Sequence, residues 1–370
     1  MNIAMLINNY PPAIGGAELY AGGLAERLSK KDNVYVVTRA YKDAADEEAY
    51  SPAYCEGCVY IKRTKTTNIF GLRAIIHFIK AFNIIRKSDI DVIHAYHVFS
   101  TGFLAVIIGK LLRKPVVIRD GQSVSSVEKY LENRIYKAII KYTLNRATVY
   151  VDNPRLAEIF GSLCGKGIRL IPNPVDTDKF VPKRHNRKKL IVGYIGRLEQ
   201  FKGVDMLIDC VPLLKGLKFR ILIVGDGTEQ DQLKTQANAF NKMFKKELVT
   251  IEKSIPYDEV HKFYQSIDIF VQPSITYETP NTTLQAMASG LPIIATAYVA
   301  NHILERWKNA IVINQYSNEI AMSIVALMYD RKLMKRLGDN ARKYAERYLD
   351  WDKHTQSVLS IYNEALKSEG

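Results

Sequence analysis

The chain has 370 residues, of which 47% are hydrophobic and 24% charged, figures that exclude a disordered or fibrous protein and make two globular domains the natural expectation. No apolar run reaches the roughly 18 residues needed to span a bilayer, and the opening MNIAMLINNYPP lacks the basic start of a signal peptide, so a cytoplasmic address is expected. The net charge of +14 is unevenly placed: residues 1–180 hold 25 Lys+Arg against 17 Asp+Glu, residues 181–190 hold 5 against none, and residues 191–370 hold 22 against 21.

An excess confined to one half points to an anionic partner there, either a membrane surface, an acidic glycan or nucleic acid; a solubility device is the plain alternative. No nucleic-acid recognition motif accompanies the charge, so nucleic acid is not expected.

The first element is an apolar strand, Asn2 to Ile7, followed by a turn containing Gly15 and Gly16 and a helical pattern from Ala17 to Leu28. Further buried strands read at Asn33 to Thr38, Asp91 to His94, Pro115 to Arg119 and Ala147 to Val151, with helical stretches between them. That alternation predicts a doubly wound parallel sheet closing near residue 180. Cys55 and Cys58 form a C-x-x-C pair, but no second pair completes a zinc site, so no metal is assigned.

Leu72 to Lys87 reads as a helix, apolar almost all round, with a narrow stripe of Arg73, His77, Lys80 and Lys87. Together with Lys62, Arg63, Lys65 and Arg86, these give a run from residue 62 to 87 that contains no acid. Ile69, Phe70 and Leu72 stand beside it. The expectation is a peripheral contact with an anionic membrane face, against the alternative of a core helix with one solvated edge. His94 and His97 lie at the carboxyl edge of the strand that begins at Asp91, a place for acceptor-side groups, with His94 expected to pack.

Residues 181–189 form a polar, basic linker, after which the pattern restarts. Strands read at Leu190 to Ile195, Arg220 to Val224, Leu248 to Ile251, Ile267 to Val271, Pro292 to Ala295 and Ala310 to Ile313. Helices read at Val204 to Leu214 and Thr228 to Phe244, and others begin near Asp258 and Thr282. Residues 190–350 thus predict a second doubly wound domain, and residues 351–370 a helix that packs back on the first.

Three segments of this half carry chemistry. GRLEQFKG, with Gly196, Arg197, Lys202 and Gly203, follows a strand, and ligands of open α/β sheets bind at the carboxyl ends of strands. A guanidinium fork and an ammonium there suit a diphosphate; the plain alternative is a pair of solvated cations. VGDGTEQDQLK places Gly225 and Gly227 in a tight turn, with Asp226 and Thr228 available to cap the next helix. PSITYETPNTTLQAMASG carries Glu278 on a loop, and its Asn281-Thr282-Thr283 opens a helix whose free amides make an anion site. Glu278 beside it can accept hydrogen bonds from sugar hydroxyls.

The order and spacing of these three segments, with PPAIGGAELY, DVIHAYH, KPVVIRDG and IPNPVDTDKF before them, resemble the retaining glycosyltransferases of the GT-B fold, specifically glycosyltransferase family 4. The resemblance spans nearly the whole chain. It implies two Rossmann-like domains facing a central cleft, with the acceptor on the first and a nucleotide-sugar donor on the second. It also implies that Gly15 and Gly16 let the backbone approach the donor phosphates, that Arg197 and Lys202 hold the diphosphate, and that Glu278 holds the transferred sugar. Gly196, Gly225, Asn281, Thr282, Thr283 and Gln285 complete the expected donor site.

Three departures stand out. Gln285 stands where the family usually has a second Glu, with six residues instead of seven separating it from Glu278. Asp120 occupies the place where the family often has a His that reaches the donor sugar, and a carboxylate there can bind a hydroxyl. His302, in TAYVANHILE, stands where a glycine-rich turn and a Glu are usual.

The reading is sugar transfer to a glycan or lipid-linked acceptor with retention at the anomeric carbon. No cofactor or metal is called for, since Arg197, Lys202 and the helix amides supply the positive charge. A sugar-nucleotide epimerase on the same fold and a non-catalytic sugar-nucleotide-binding protein are the alternatives.

Overall fold

The computed structural model describes residues 1–13, 15–40, 47–50, 57–64, 72–183 and 189–369. They divide into two units, Met1–Pro172 with Asp352–Gly370, and Asn173–Trp351.

The sheet of the first unit contains β1 (Asn2–Leu6), β2 (Asn33–Arg39), β3 (Glu47–Tyr50), β4 (Val59–Thr64), β5 (Val92–Tyr96), β6 (Val116–Asp120), β7 (Thr148–Val151) and β8 (Arg169–Leu170). Their order is β3-β4-β2-β1-β5-β6-β7-β8, parallel except where β3 meets β4. Helices α1 (Gly16–Leu28), α2 (Leu72–Lys87), α3 (Phe103–Leu112), α4 (Val124–Glu132), α5 (Arg134–Arg146) and α6 (Pro154–Cys164) supply the crossovers. β5 and β6 are buried at every position, as strands covered on both faces must be. Leu6, Ile93, Ile118 and Val149 centre one core beneath α3, α5 and α6.

The second unit has six parallel strands: β9 (Leu190–Ile195), β10 (Phe219–Val224), β11 (Val249–Glu252), β12 (Ile269–Gln272), β13 (Ile293–Thr296) and β14 (Ile311–Ile313). Their order is β11-β10-β9-β12-β13-β14. Helices α7 (Val204–Asp209), α8 (Gln230–Phe244), α9 (Val260–Ser266), α10 (Asn281–Ala288), α11 (Ser317–Tyr329) and α12 (Arg331–Tyr348) cover its two faces, over cores centred on Ile221 and on Phe270. The final helix, α13 (Trp351–Glu369), runs into the first unit from Asp352. Among the described residues no helix is long and apolar enough to cross a membrane.

In both sheets the first strand lies in the interior. The chain builds outward on one side of β1 as far as β3, then returns to place β5 on the other; β9 is flanked by β10 and β12 in the same way. Each unit therefore has one place where crossovers diverge at the carboxyl ends of neighbouring strands, between β1 and β5 and between β9 and β12.

Several details differ from the sequence reading. The change of unit falls at Pro172, not near residue 180, because the segment after it packs on the second unit. There the Val175 amide donates to Leu349 O at 2.8 Å, Phe180 lies against Tyr264, and Arg342 Nη1 donates to the carbonyls of Thr177 and Phe180. The helix expected from Val204 to Leu214 stops at Asp209, and a separate tight turn, Val211–Leu214, follows, since Pro212 has no amide to continue an α-helix.

Residues expected in the basic run are also redistributed. Lys62 and Arg63 lie in β4, and Arg63 is 6% exposed, with Nη1 on Glu48 Oε1 at 2.7 Å and Nη2 on Pro11 O at 2.8 Å. His77 is buried as well, its Nδ1 against Thr64 Oγ1 at 2.7 Å. Lys65, Ile69 and Phe70 lie outside the described residues, as do Cys55 and the side chains of Leu72 and Arg73. Lys80, Arg86 and Lys87 are exposed.

α13 is tied into the first unit by a chain of buried hydrogen bonds. His354 Nδ1 lies 3.0 Å from Pro172 O, which only accepts, so that nitrogen carries the proton. Its Nε2 then accepts from Tyr20 Oη at 2.5 Å, Tyr20 accepts from Tyr150 at 3.0 Å, and Tyr150 accepts from His94 Nε2 at 3.2 Å. His94 Nδ1 takes the proton of Tyr362 Oη at 2.7 Å. With both histidines neutral, the direction of every bond follows from the first.

Burial, reinforced by the nearby Arg119 guanidinium, pushes both imidazoles down to about 3. The unfolded chain, with ordinary values near 6.5, therefore binds more protons between about pH 6.5 and pH 3. The stability contributed by the neutral histidines is complete above pH 6.5 and falls as pH is lowered through that window. Chemical denaturation at a series of pH values is expected to show a loss of about 1.4 kcal/mol per pH unit for each histidine. His94→Phe should flatten the slope.

Candidate functional site

After β9 the chain passes through Gly196 and Arg197 into a single tight turn, Gln200–Lys202, which Gly203 closes at φ +61. A Cβ on Gly203 would lie 2.4 Å from the carbonyl of Pro273, in the loop that follows β12. The Ile275 amide donates to Phe201 O at 2.9 Å, so the loops on either side of the β9–β12 divergence touch. Lys202 and Glu278, one from each loop, form an ion pair with side chains only 10% and 16% exposed. Glu278 Oε2 takes the ammonium, while its buried Oε1 has no partner. The backbone of Glu278 is pinned to the loop after β13, its amide to Tyr298 O at 3.2 Å and its carbonyl to the Ala300 amide at 2.8 Å.

α10 begins three residues beyond Glu278, with Pro280 at its N-cap and no side-chain cap. Proline sets the backbone for entry to a helix but offers no side-chain acceptor. The Thr283 and Leu284 amides turn back to Pro280 O, leaving the amides of Asn281 and Thr282 without a partner. The free donors are thus one residue earlier than the sequence suggested. Thr282 Oγ1 donates to Gln272 Oε1 at 3.2 Å, and Asn281 Oδ1 accepts from Asn173 at 3.4 Å. Thr283 is fully buried, and its hydroxyl and that of Thr279 have no partner. Gln285 is buried with its side-chain amide 3.0 Å from Tyr264 Oη, whose hydroxyl also lies 2.9 Å from Thr282 O.

Arg197 is exposed, its guanidinium 5.6 Å from the Phe201 ring, and Tyr194 Oη holds its carbonyl at 2.9 Å. Behind it two glycine turns meet. A Cβ on Gly225, at φ +153, would sit 1.9 Å from Gly196 O, and one on Gly227 would sit 2.2 Å from Leu198 O. Leu198 donates its amide to Asp226 O and receives that of Glu229, both at 2.9 Å. Asp226 and Thr228 do not cap α8. Asp226 accepts from the hydroxyl and amide of Ser254, which hold its carboxyl below the usual range, and Thr228 donates to Glu199 at 2.8 Å.

The remaining expected residues lie in the first unit. Gly15 is the extended N-cap of α1 and Gly16 its first residue; neither needs a positive φ. Asp120 is 1% exposed, with Oδ2 taking the Val98 amide at 2.8 Å and Oδ1 the Gln122 amide at 3.0 Å. Both oxygens brace the turns after β5 and β6. His94 packs, as its sequence position suggested, and His97 opens a turn at φ +72 with burial lowering its pKa.

Residues 14–179 match the family described as Glycosyltransferase Family 4, and residues 175–344 match Glycosyl transferases group 1. An uncharacterized glycosyltransferase of Methanocaldococcus jannaschii is 24% identical, with 96% of each chain covered. Among solved structures, sucrose-phosphate synthase from Thermosynechococcus elongatus superposes with a TM-score of 0.79 at 20% identity, covering 99% of both chains. The Anabaena protein HepE in complex with UDP gives 0.78 at 19%, covering 98% of this chain and 100% of its own. The chain belongs to the glycosyltransferases of the GT-B fold.

Sequence reasoning on this glycosyltransferase overlooked the polar atoms that surround Glu278. His302 was noted as a departure, but its two ring nitrogens are buried without partners, and burial pushes it down to about 4. Thr279, Thr283 and Glu278 Oε1 likewise have buried polar atoms without a protein partner. A residue's lack of a partner leaves no mark in the sequence.

Gly225→Ala is expected to lower thermal stability by more than about 1 kcal/mol, because both φ and the Gly196 carbonyl oppose a methyl group. Gly216→Ala, at φ +87 with nothing within 4 Å, should cost less. Paired thermal denaturation curves measure the difference that backbone contact makes.

Proposed function

We propose that this glycosyltransferase moves a sugar from a nucleoside-diphosphate sugar to a glycan or lipid-linked acceptor with retention of anomeric configuration. The observation that carries the reading is the meeting of Lys202 and Glu278 across the β9–β12 divergence, beside an uncapped helix with two free amides. A cation, a carboxylate with one unsatisfied oxygen and a helix N-terminus suit the two ends of such a donor. The amides of Asn281 and Thr282, with Lys202 and Arg197, would bind the diphosphate, and Glu278 Oε1 would accept from sugar hydroxyls. The HepE structures with UDP and with UDP-glucose support a nucleotide-sugar donor.

In the transfer, the acceptor oxygen bonds to the anomeric carbon on the face from which the diphosphate leaves. The bond to the phosphate oxygen breaks with its electron pair, and the leaving phosphate takes the acceptor's proton. Charge grows on the diphosphate, and fixed donors aimed there stabilise the transition state more than the ground state. This reading calls on no metal, because Arg197, Lys202 and the helix amides supply the positive charge. Contact with an anionic membrane would rest on Lys80, Arg86 and Lys87 of α2, all exposed, and on Ile79 beside them.

Arg197→Ala is the cleanest test, since the side chain is exposed and its removal leaves no buried charge. It is expected to lower turnover roughly 100-fold at unchanged thermal stability; near-normal activity would refute the assignment. Lys202→Ala should also lower turnover, but leaves Glu278 half of a broken buried pair and is expected to lower stability too. Glu278→Gln should weaken use of the donor sugar more than binding of the free nucleoside diphosphate, and equal weakening would move Glu278 to the ribose. A panel of UDP-, GDP- and ADP-sugars tested for thermal stabilisation identifies the donor, with about 2.7 kcal/mol expected at 100 times the dissociation constant.

A further inference from the structure

The first unit has its own divergence of crossovers, between β1 and β5, and a cavity of about 450 Å³ opens there. The volume lies within the roughly 300–1,000 Å³ of small-molecule sites. Asn8, just beyond β1, and Ser100, in the turn after β5, form its floor and are joined by a 3.2 Å hydrogen bond. Arg39, the last residue of β2, adds a guanidinium on the same side. The opposite walls are mostly apolar, with Phe78 from α2 and Phe103, Leu104 and Ile107 from α3; His77 of α2 and Thr101 also line the space, His77 Nδ1 bonded to Thr64 Oγ1 and the Thr101 hydroxyl donating to Tyr96 O. All four of the apolar side chains are only partly buried.

Apart from His77, the polar groups lie at the strand ends and the side chains that the helices present are apolar. A sugar acceptor would press its hydroxyls against Phe78, Leu104 and Ile107 and strip their water without replacing it. The lining fits a molecule with both characters, an acyl or prenyl chain between the helices and an anionic head against the guanidinium. The charge of the chain agrees, since residues 1–180 carry 25 Lys+Arg against 17 Asp+Glu.

We propose that this cavity binds a single-chain lipid with a phosphate head, and that the acceptor of the transfer is of this class. The second half of that statement rests on the glycosyltransferase reading above; the binding does not, and is measured without any sugar donor. Calorimetric titration of the full chain with decyl phosphate, below its micelle concentration, should show one saturable site. Inorganic phosphate should bind at least tenfold more weakly, and decyl maltoside should bind without sensitivity to Arg39.

Ile107→Trp, which fills the space between the helices, should weaken decyl phosphate at least tenfold. Leu104→Gln serves as a second probe of that wall should the bulkier variant fold poorly, with thermal denaturation to confirm the fold of each. Arg39→Met should weaken decyl phosphate about tenfold and leave decyl maltoside unchanged. Absence of saturable binding, equal binding by inorganic phosphate, or indifference to both wall variants would each overturn the proposal. Equal loss of both detergents in Arg39→Met would overturn the anionic head. Decyl phosphate binding with no sugar transferred to any prenyl or alkyl phosphate would keep the site and remove the acceptor assignment.

Discussion

Parallel strands can be joined only by crossovers, and in each unit of this chain the first strand ends up inside its sheet. The crossovers on its two sides then run to opposite faces and leave a crevice at the carboxyl edge. The groups proposed to bind the donor and the lipid lie beside these gaps. In the second unit the gap receives the loops after β9 and β12, which bring Lys202 and Glu278 together although 76 positions separate them. In the first unit the equivalent gap receives Asn8, Arg39 and Ser100 beneath two helices. One topological rule, applied twice, has produced a charged site and an amphiphilic one.

What differs between the two is how the backbone is brought up to the gap. In the second unit, glycines at 203, 225 and 227 let main chain touch main chain at distances no Cβ permits, which fixes the path of the loops carrying Arg197 and Lys202. Rigid loops can hold a buried ion pair and several unsatisfied polar atoms without collapsing onto them, and the cost in stability is borne by the close packing around. In the first unit the corresponding turns are tied by side chains, with the Asp120 carboxylate receiving two amides.

The parallel architecture was legible because buried parallel strands are written as apolar runs. β9 was placed to the residue, and β1, β2, β5, β6 and β7 within one or two. β4 was not read, since VYIKRT carries Lys62 and Arg63, whose charge suggested surface; Arg63 is buried because Glu48, on a neighbouring strand, and the Pro11 carbonyl satisfy it. Such a pairing is a fact of three dimensions. The same limit applies at the site. Arg197, Lys202 and Glu278 were visible as residue types in the right loops, whereas the Lys202–Glu278 pairing and the engagement of both Asp120 oxygens depend on how loops meet.

The directed chain of hydrogen bonds from Tyr362 through His94, Tyr150 and Tyr20 to His354 has a consequence for biosynthesis. Two of its five side chains belong to the last helix, α13, and the others to the first 150 residues. The second unit, residues 173–351, has its full set of strands as soon as Ile313 leaves the ribosome. The first unit is translated earlier, yet its polar interior stays incomplete until α13 emerges. Domains ordinarily finish in the order in which they are made. Here a chain cut before α13 keeps every strand of its second unit and lacks two members of the first unit's buried network.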